Sequence, residues 1–242
     1  MTAPAGLDGT DPSLLAAVAR LLATSVPTEA AGLVPYSLPE YHRYLARVLA
    51  PAPPHRTVLI RVVKREAAPV AVADWRVLGS TLFLNGLAVD PEHRGGGLGR
   101  RLVDDGADLA RALGAARLAL DVADGNAAAR ALYDRAGFLL AGTAAWHRLP
   151  VGAPGPDPEV RVLDWPVFAA CRDAYGFAEL TVRGSGGVPV TARVTGTAIR
   201  VPASGPTPAR WCALSGCDRA WTADGAPGRP FLRFVRMTRA VA

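Results

Sequence analysis

Residues 89–99 read Val-Asp-Pro-Glu-His-Arg-Gly-Gly-Gly-Leu-Gly, an apolar strand end followed by an arginine and four glycines in five positions. Such a run is suited to holding an anion. Gly95, Gly96, Gly97 and Gly99 remove the side chains that would keep a phosphate off the main chain, and they permit the positive φ angles of a tight turn. A helix opening at Leu98 would bring the positive end of its dipole to the same place, and Arg94, Arg100 and Arg101 would add full charges. The expected ligand is a pyrophosphate, held by its charge.

Spacing narrows the nucleotide. A phosphate loop of the NTPase kind ends Gly-Lys-Ser/Thr, whereas this one ends Gly-Arg-Arg. A dinucleotide fingerprint needs GxGxxG and an acid about 20 residues later, which the run matches only loosely. What fits is Arg94-x-x-Gly97-x-Gly99, followed about 30 residues on by a strand at 118–122 and a short helix carrying Asn126, Tyr133 and the closing pair Gly137-Phe138. Together these motifs resemble the GNAT superfamily of acyl-CoA N-acetyltransferases, over residues 57–149. The resemblance implies an α/β fold with a mixed, mostly antiparallel central sheet flanked by helices. It also implies acetyl-CoA as co-substrate, with no metal.

By the same resemblance, main-chain groups of Leu87, Ala88 and Val89 would bond the pantetheine arm between two splayed strands. Arg94, Gly95, Gly96, Gly97, Leu98, Gly99 and Arg100 would form the pyrophosphate cradle. The Asn126 side chain would contact CoA, and Tyr133 would give a proton to the departing thiolate. Taken singly, Asn126 reads as a helix N-cap and Tyr133 as a packing residue.

Direct attack of an amine on the thioester requires a proton acceptor and an N–H for the oxyanion. Many relatives carry an acid on the strand before the loop, where this chain has Leu84-Asn85-Gly86-Leu87. A neutral Asn85 cannot take the proton. Asp74 on the preceding strand and His147 after the last helix are the substitutes, ahead of Glu92 and His93, with solvent water as the alternative. The acceptor would be a primary amine of a small molecule or protein, with Tyr36, Tyr41, Trp75 and Trp146 as aromatic candidates for its pocket. Acyl transfer to a hydroxyl or thiol, or an acyl-CoA-binding sensor or scaffold without transfer, are the competing readings.

The elements that must position these residues follow from period and punctuation. Asp11 caps a helix over 12–23, and a second helix starts after Ser37 and ends before Pro51. Strands at 57–64, 70–77 and 81–89 lead into the glycine loop. A helix over 98–113 crosses to a strand at 117–122, a length that favours parallel strands with a right-handed connection. The reading places an acetyltransferase-like domain at 1–150, a Pro/Gly-rich linker at 151–164 and a small β-rich part at 165–242. That last part has strands at 179–183, 188–194, 198–201 and 232–237 and a short helix at 166–174. Its core would be thin, so it is expected to pack on the first domain or on a second copy in a homodimer.

Composition bounds the remaining classes. The 242 residues carry 27 Lys and Arg against 21 Asp and Glu, and Lys64 is the sole lysine. The arginines are spread along the chain without aromatic interleaving, which argues against nucleic acid. No apolar run reaches the roughly 18 residues of a membrane span, and no basic segment precedes the first apolar stretch as in a secretory signal, so a cytoplasmic protein is expected. Three cysteines, Cys171, Cys212 and Cys217, argue for reduced thiols. The turn read at 211–217 lacks a paired histidine spacing for zinc.

Overall fold

The computed structural model describes residues 3–153, 160–184, 187–223 and 225–241. Their elements run β1 (Ala5–Gly6), α1 (Pro12–Ala23), α2 (Tyr41–Val48), β2 (Val58–Arg65), β3 (Ala68–Leu78), β4 (Thr81–Val89), α3 (Leu98–Ala112), β5 (Arg117–Ala123), α4 (Ala127–Arg135) and β6 (Leu139–Leu149). After them come β7 (Val160–Leu163), α5 (Trp165–Tyr175), β8 (Phe177–Gly184), β9 (Val190–Thr195), β10 (Ala198–Arg200), α6 (Pro208–Ser215), β11 (Arg219–Thr222) and β12 (Leu232–Ala240). Two compact units result. Residues 1–26, 42–143 and 234–242 form the first, and residues 27–41 and 144–233 the second. The chain visits these units in alternation. The segment expected as a separate part at 165–242 returns its last residues to the first unit; of the expected linker at 151–164, residues 154–159 lie outside the described residues and Val160–Leu163 form β7.

In the first unit the strand order is β1-β2-β3-β4-β5-β12. All neighbours are antiparallel except β4 and β5, which the α3 crossover makes parallel. This is the mixed, mostly antiparallel sheet expected. Alternation along β3 sends Ala71, Ala73 and Trp75 to one face, where they join Leu82, Leu84, Leu102, Leu118, Leu120 and Phe138 in one core. Trp75 is fully buried, and a Cβ on Gly106 of α3 would lie 2.0 Å from its Cζ2, so the helix can reach the sheet there only as glycine. Helix α1 starts as read: Asp11 accepts from the amides of Ser13 and Leu14, Pro12 stands at N1, and Leu15, Val18 and Leu22 are buried. Helix α2 begins later than expected, at Tyr41, because residues 35–37 form a 3-10 turn led by Pro35.

The second unit orders its strands β6-β11-β10-β9-β8-β7. Its core is fuller than expected. Phe168 of α5 and Trp211 of α6 pack on Leu180, Val182, Val194 and Ile199. The segment read as a Cys-containing turn is helix α6, with Cys212 and Cys217 both buried and both thiols pushed up chiefly by that burial. Among the described residues no three His, Cys, Asp or Glu side chains group as metal ligands, and no helix is long and apolar enough to cross a membrane.

Candidate active site

Strands β4 and β5 pair over four residues, Thr81–Leu84 against Arg117–Leu120, and then part. Strand β4 continues to Val89 held by β3, and β5 continues to Ala123 held by β12. A wedge opens between them. The amide of Asp90 donates to the carbonyl of Val70 at 2.9 Å, which marks 70 and 90 as a hydrogen-bonded antiparallel pair. Counting back by twos, Ala88 bonds β3, while the N–H and C=O groups of Leu87 and Val89 face the wedge. Of the three residues expected to hold a pantetheine arm, Leu87 and Val89 turn their main-chain groups to the wedge, where the Val89 carbonyl meets Arg94, and Ala88 turns its own to β3.

A bulge sets up this exposure. Asp74 pairs with Gly86 and Trp75 with Leu84, so Asn85 is the extra residue of β4. The exposed Asn85 donates its amide to Oδ2 of Asp74 at 3.3 Å, and Arg76 donates to the same oxygen at 2.6 Å. Arg76 in turn donates to the Tyr44 hydroxyl of α2 at 3.2 Å. Asp74 is fully buried inside this polar cluster.

At the wedge mouth, Asp90 caps a 3-10 turn, Pro91–His93, by accepting from the Glu92 amide. Arg94 closes the turn with its Nε donating to the Val89 carbonyl at 3.1 Å. Gly95 and Gly97 then take φ of 77° and 75°, and nothing lies within 4 Å of a Cβ built on either. Gly97 is also the N-cap of α3, which has no side-chain cap and no acid in its first turn. The first-turn amides thus point into an unobstructed, glycine-walled space at the positive helix end, the requirement for an anion. Gly99 serves another purpose. A Cβ there would come within 3.1 Å of Leu132 of α4, so this glycine lets α3 and α4 touch. Arg100 is turned down its own helix, bonded through Nε to Asp104 at 2.8 and 2.9 Å and through a terminal nitrogen to the Arg135 carbonyl at 2.8 Å. It locks α4 to α3, and the charge expected from it at the cradle is neutralised by Asp104.

Asn126 is the N-cap of α4, its Oδ1 accepting from the Ala129 amide at 3.1 Å. Its exposed side chain retains the amide group for a ligand. Tyr133, one of the residues of α4 turned inward, is buried with its ring 5.8 Å from that of Phe138, and burial pushes its phenol above the usual value. Tyr133, Asn126, the glycine loop and Asp74 all belong to the first unit. His147 belongs to the second, buried on β6 opposite Thr222 with no hydrogen-bond partner for Nδ1 among the described residues. Three of the aromatic residues offered for an acceptor pocket are in the second unit too: Tyr36 packs edge-on to Tyr41, and Trp146 lies 4.2 Å from the Trp221 ring. Sequence reasoning missed Arg76, two residues from Asp74 on the same strand, although the period of two along β3 was a signal for it, and missed Tyr44 because its bond to Arg76 joins elements distant in the chain.

The residues fit a CoA-type donor on two structural counts, the open glycine cradle at an uncapped helix start and the inner edge of β4 beyond its pairing with β5. Comparison with known proteins agrees. The model of the GNAT acetyltransferase family matches residues 22–138. A mycothiol acetyltransferase of Beutenbergia cavernae is 45% identical over 64 residues, 26% of this chain and 22% of that protein. A streptothricin acetyltransferase of Streptomyces lavendulae is 38% identical over 77 residues, 32% of this chain and 41% of that protein. The chain thus spans less than half the length of either curated relative. Among solved structures, a tandem GNAT protein from the clavulanic acid biosynthesis pathway superposes with a TM-score of 0.65 at 15% identity, covering 99% of this chain and 98% of that one. A Thermoplasma acidophilum protein follows at 0.58, also 15% identical, covering 95% and 97%. At such identities the likeness is one of fold.

Proposed function

Because this chain carries an acetyltransferase domain of the GNAT family over residues 22–138, we propose that it transfers an acetyl group from acetyl-CoA to a primary amine of a small molecule or protein. The observation that carries this reading is the parting of β4 from β5 beside the glycine-walled start of α3. A thioester lying in the wedge has its carbonyl next to the inward N–H groups of Leu87 and Val89. One of them takes the oxyanion as the amine attacks the carbonyl carbon. The pyrophosphate rests on the α3 amides, Arg94 adds its charge, and the Asn126 amide contacts the arm.

As the carbon–sulfur bond breaks, Tyr133 donates a hydrogen bond to the departing sulfur. The amine proton leaves to solvent. Asp74, fully buried and bonded to Arg76 and Asn85, acts one step removed by holding the β4 bulge that exposes Leu87 and Val89. His147 has no step in this scheme. The acceptor is a small or protein-borne amine, in keeping with the acetyltransferase names of the two relatives, and the site operates without a metal.

Thiol release from acetyl-CoA across a panel of amines, together with calorimetry of CoA binding, tests the reading. Binding with amine-dependent thiol release is expected, and absence of CoA binding overturns it. The neutral residue at the exposed bulge, Asn85, favours one second reading, an acyl-CoA-binding protein without transfer, which predicts binding with no thiol release for any amine.

A further inference from the structure

The two sheets can be laid strand on strand. In the first unit the order β1-β2-β3-β4-β5-β12 has antiparallel, antiparallel, antiparallel, parallel and antiparallel neighbours. In the second, β7-β8-β9-β10-β11-β6 has the same five relations in the same sequence. Helix α3 links the parallel pair of the first unit and α6 that of the second. Each sheet ends on a strand that the chain makes after leaving the other unit's parallel pair: β6 follows β5, and β12 follows β11.

Every feature that makes the donor site in the first unit is closed in its counterpart. Strand β4 runs on five residues past its pairing with β5, whereas all of β10 pairs with β11 and the next amide, Val201, still donates to Trp221 at 2.9 Å. No wedge forms. The loop before α3 has open space at Gly95 and Gly97, but a Cβ on Gly205, in the loop before α6, would lie 2.9 Å from Val190 of β9. That loop is laid on its own sheet. Helix α3 starts uncapped, while Thr207 caps α6 by accepting from the Arg210 amide, and Pro208 at N1 removes another donor. Between β11 and β12 the described residues contain no helix, so Asn126 and Tyr133 have no counterparts.

We propose that the second unit is a structural repeat of the first in which the donor site has been filled in, so that one chain binds a single acyl-CoA, in the first unit. This rests on the donor reading above and goes beyond it in assigning the repeat a supporting, cofactor-free role. Calorimetric titration of the full chain with CoA tests it. One equivalent per chain is expected for the wild type, none for Gly97→Glu, and unchanged stoichiometry and affinity for Thr207→Ala, with far-UV circular dichroism confirming that both variants are folded. Two equivalents for the wild type, saturable binding retained by folded Gly97→Glu, or loss of binding in folded Thr207→Ala overturns the repeat's assignment. A wild type that binds no CoA overturns the donor reading instead.

Discussion

The burial of Tyr133 bears directly on the role proposed for it. Its phenol is pushed above the ordinary 10.0 by desolvation, while a thiol of the cysteine kind ionises near 8.5. A group so reluctant to ionise gives a hydrogen bond to a leaving sulfur more readily than it gives up its proton. Tyr133→Phe is expected to lower kcat by about 10²-fold with little change in the CoA Kd, since a positioned donor is removed and the cradle is untouched. Steady-state kinetics beside calorimetry separates the two effects. The same shift has a thermodynamic side. A tyrosine whose folded pKa exceeds its unfolded one stabilises the fold fully below the unfolded value, and the contribution is lost as pH rises toward the folded one. Urea unfolding should therefore show wild-type stability falling above about pH 10, with a shallower fall in Tyr133→Phe. Equal alkaline slopes in the two proteins would refute the assignment. At this scale the local features were legible in the chain itself: the positive φ of Gly95 and Gly97 and the Asn126 cap are each settled within a turn or so of the residue. Tyr44 was not, since only the packing of α2 beside β3 brings its hydroxyl to Arg76, which is itself two residues from Asp74 on one strand.

Strand β4 has two tasks, to pair with β5 and then to leave it, and the Asn85 bulge lies between them. The core on the other face must be unyielding for that departure to be reproducible, and the Trp75–Gly106 contact supplies a fixed point. Gly106→Ala gains helix propensity but drives a methyl into the indole, so overpacking is expected to dominate and cost about 1–3 kcal/mol. Denaturant titration reads it, and a stabilised variant would contradict the tight contact. Elements with a clear apolar period or strong punctuation, such as α1, β4 and α3, stand where their residues placed them. Helix α6 was read as a turn because it has eight residues, two of them Pro208 and Ser215, and its buried set of Ala209, Trp211, Cys212 and Ser215 makes no long apolar stripe. Strand β6 escaped notice because its first half shows no alternation of apolar and polar residues: Leu139, Leu140, Ala141 and Thr143 are exposed and the small Gly142 and Ala144 half-buried.

No inspection of residues 1–150 could reveal that their sheet ends on a strand more than eighty residues further along the chain. Pairing is a long-range property, and the alternation in β12 is compatible with any partner that offers a matching edge. Seven residue pairs, Phe234 with Ala123 through Ala240 with Arg117, close the first unit, reinforced by the Arg236–Asp121 ion pair at 2.7 Å. Removing residues 232–242 is therefore expected to leave β5 with a bare edge and to make the chain self-associate more than the full-length one. Size-exclusion chromatography of both forms checks it, and a truncation no larger in its association state than the full-length chain would refute it. The same strand also sets a timetable. Asp121 and Arg236 are 115 residues apart, so at about 5–20 residues per second a ribosome needs roughly 6–23 s to make the partner of a strand that has already emerged. During that interval the growing chain already holds β6, made soon after β5, as a competing partner for the same edge, and the first unit, though translated first, is finished last.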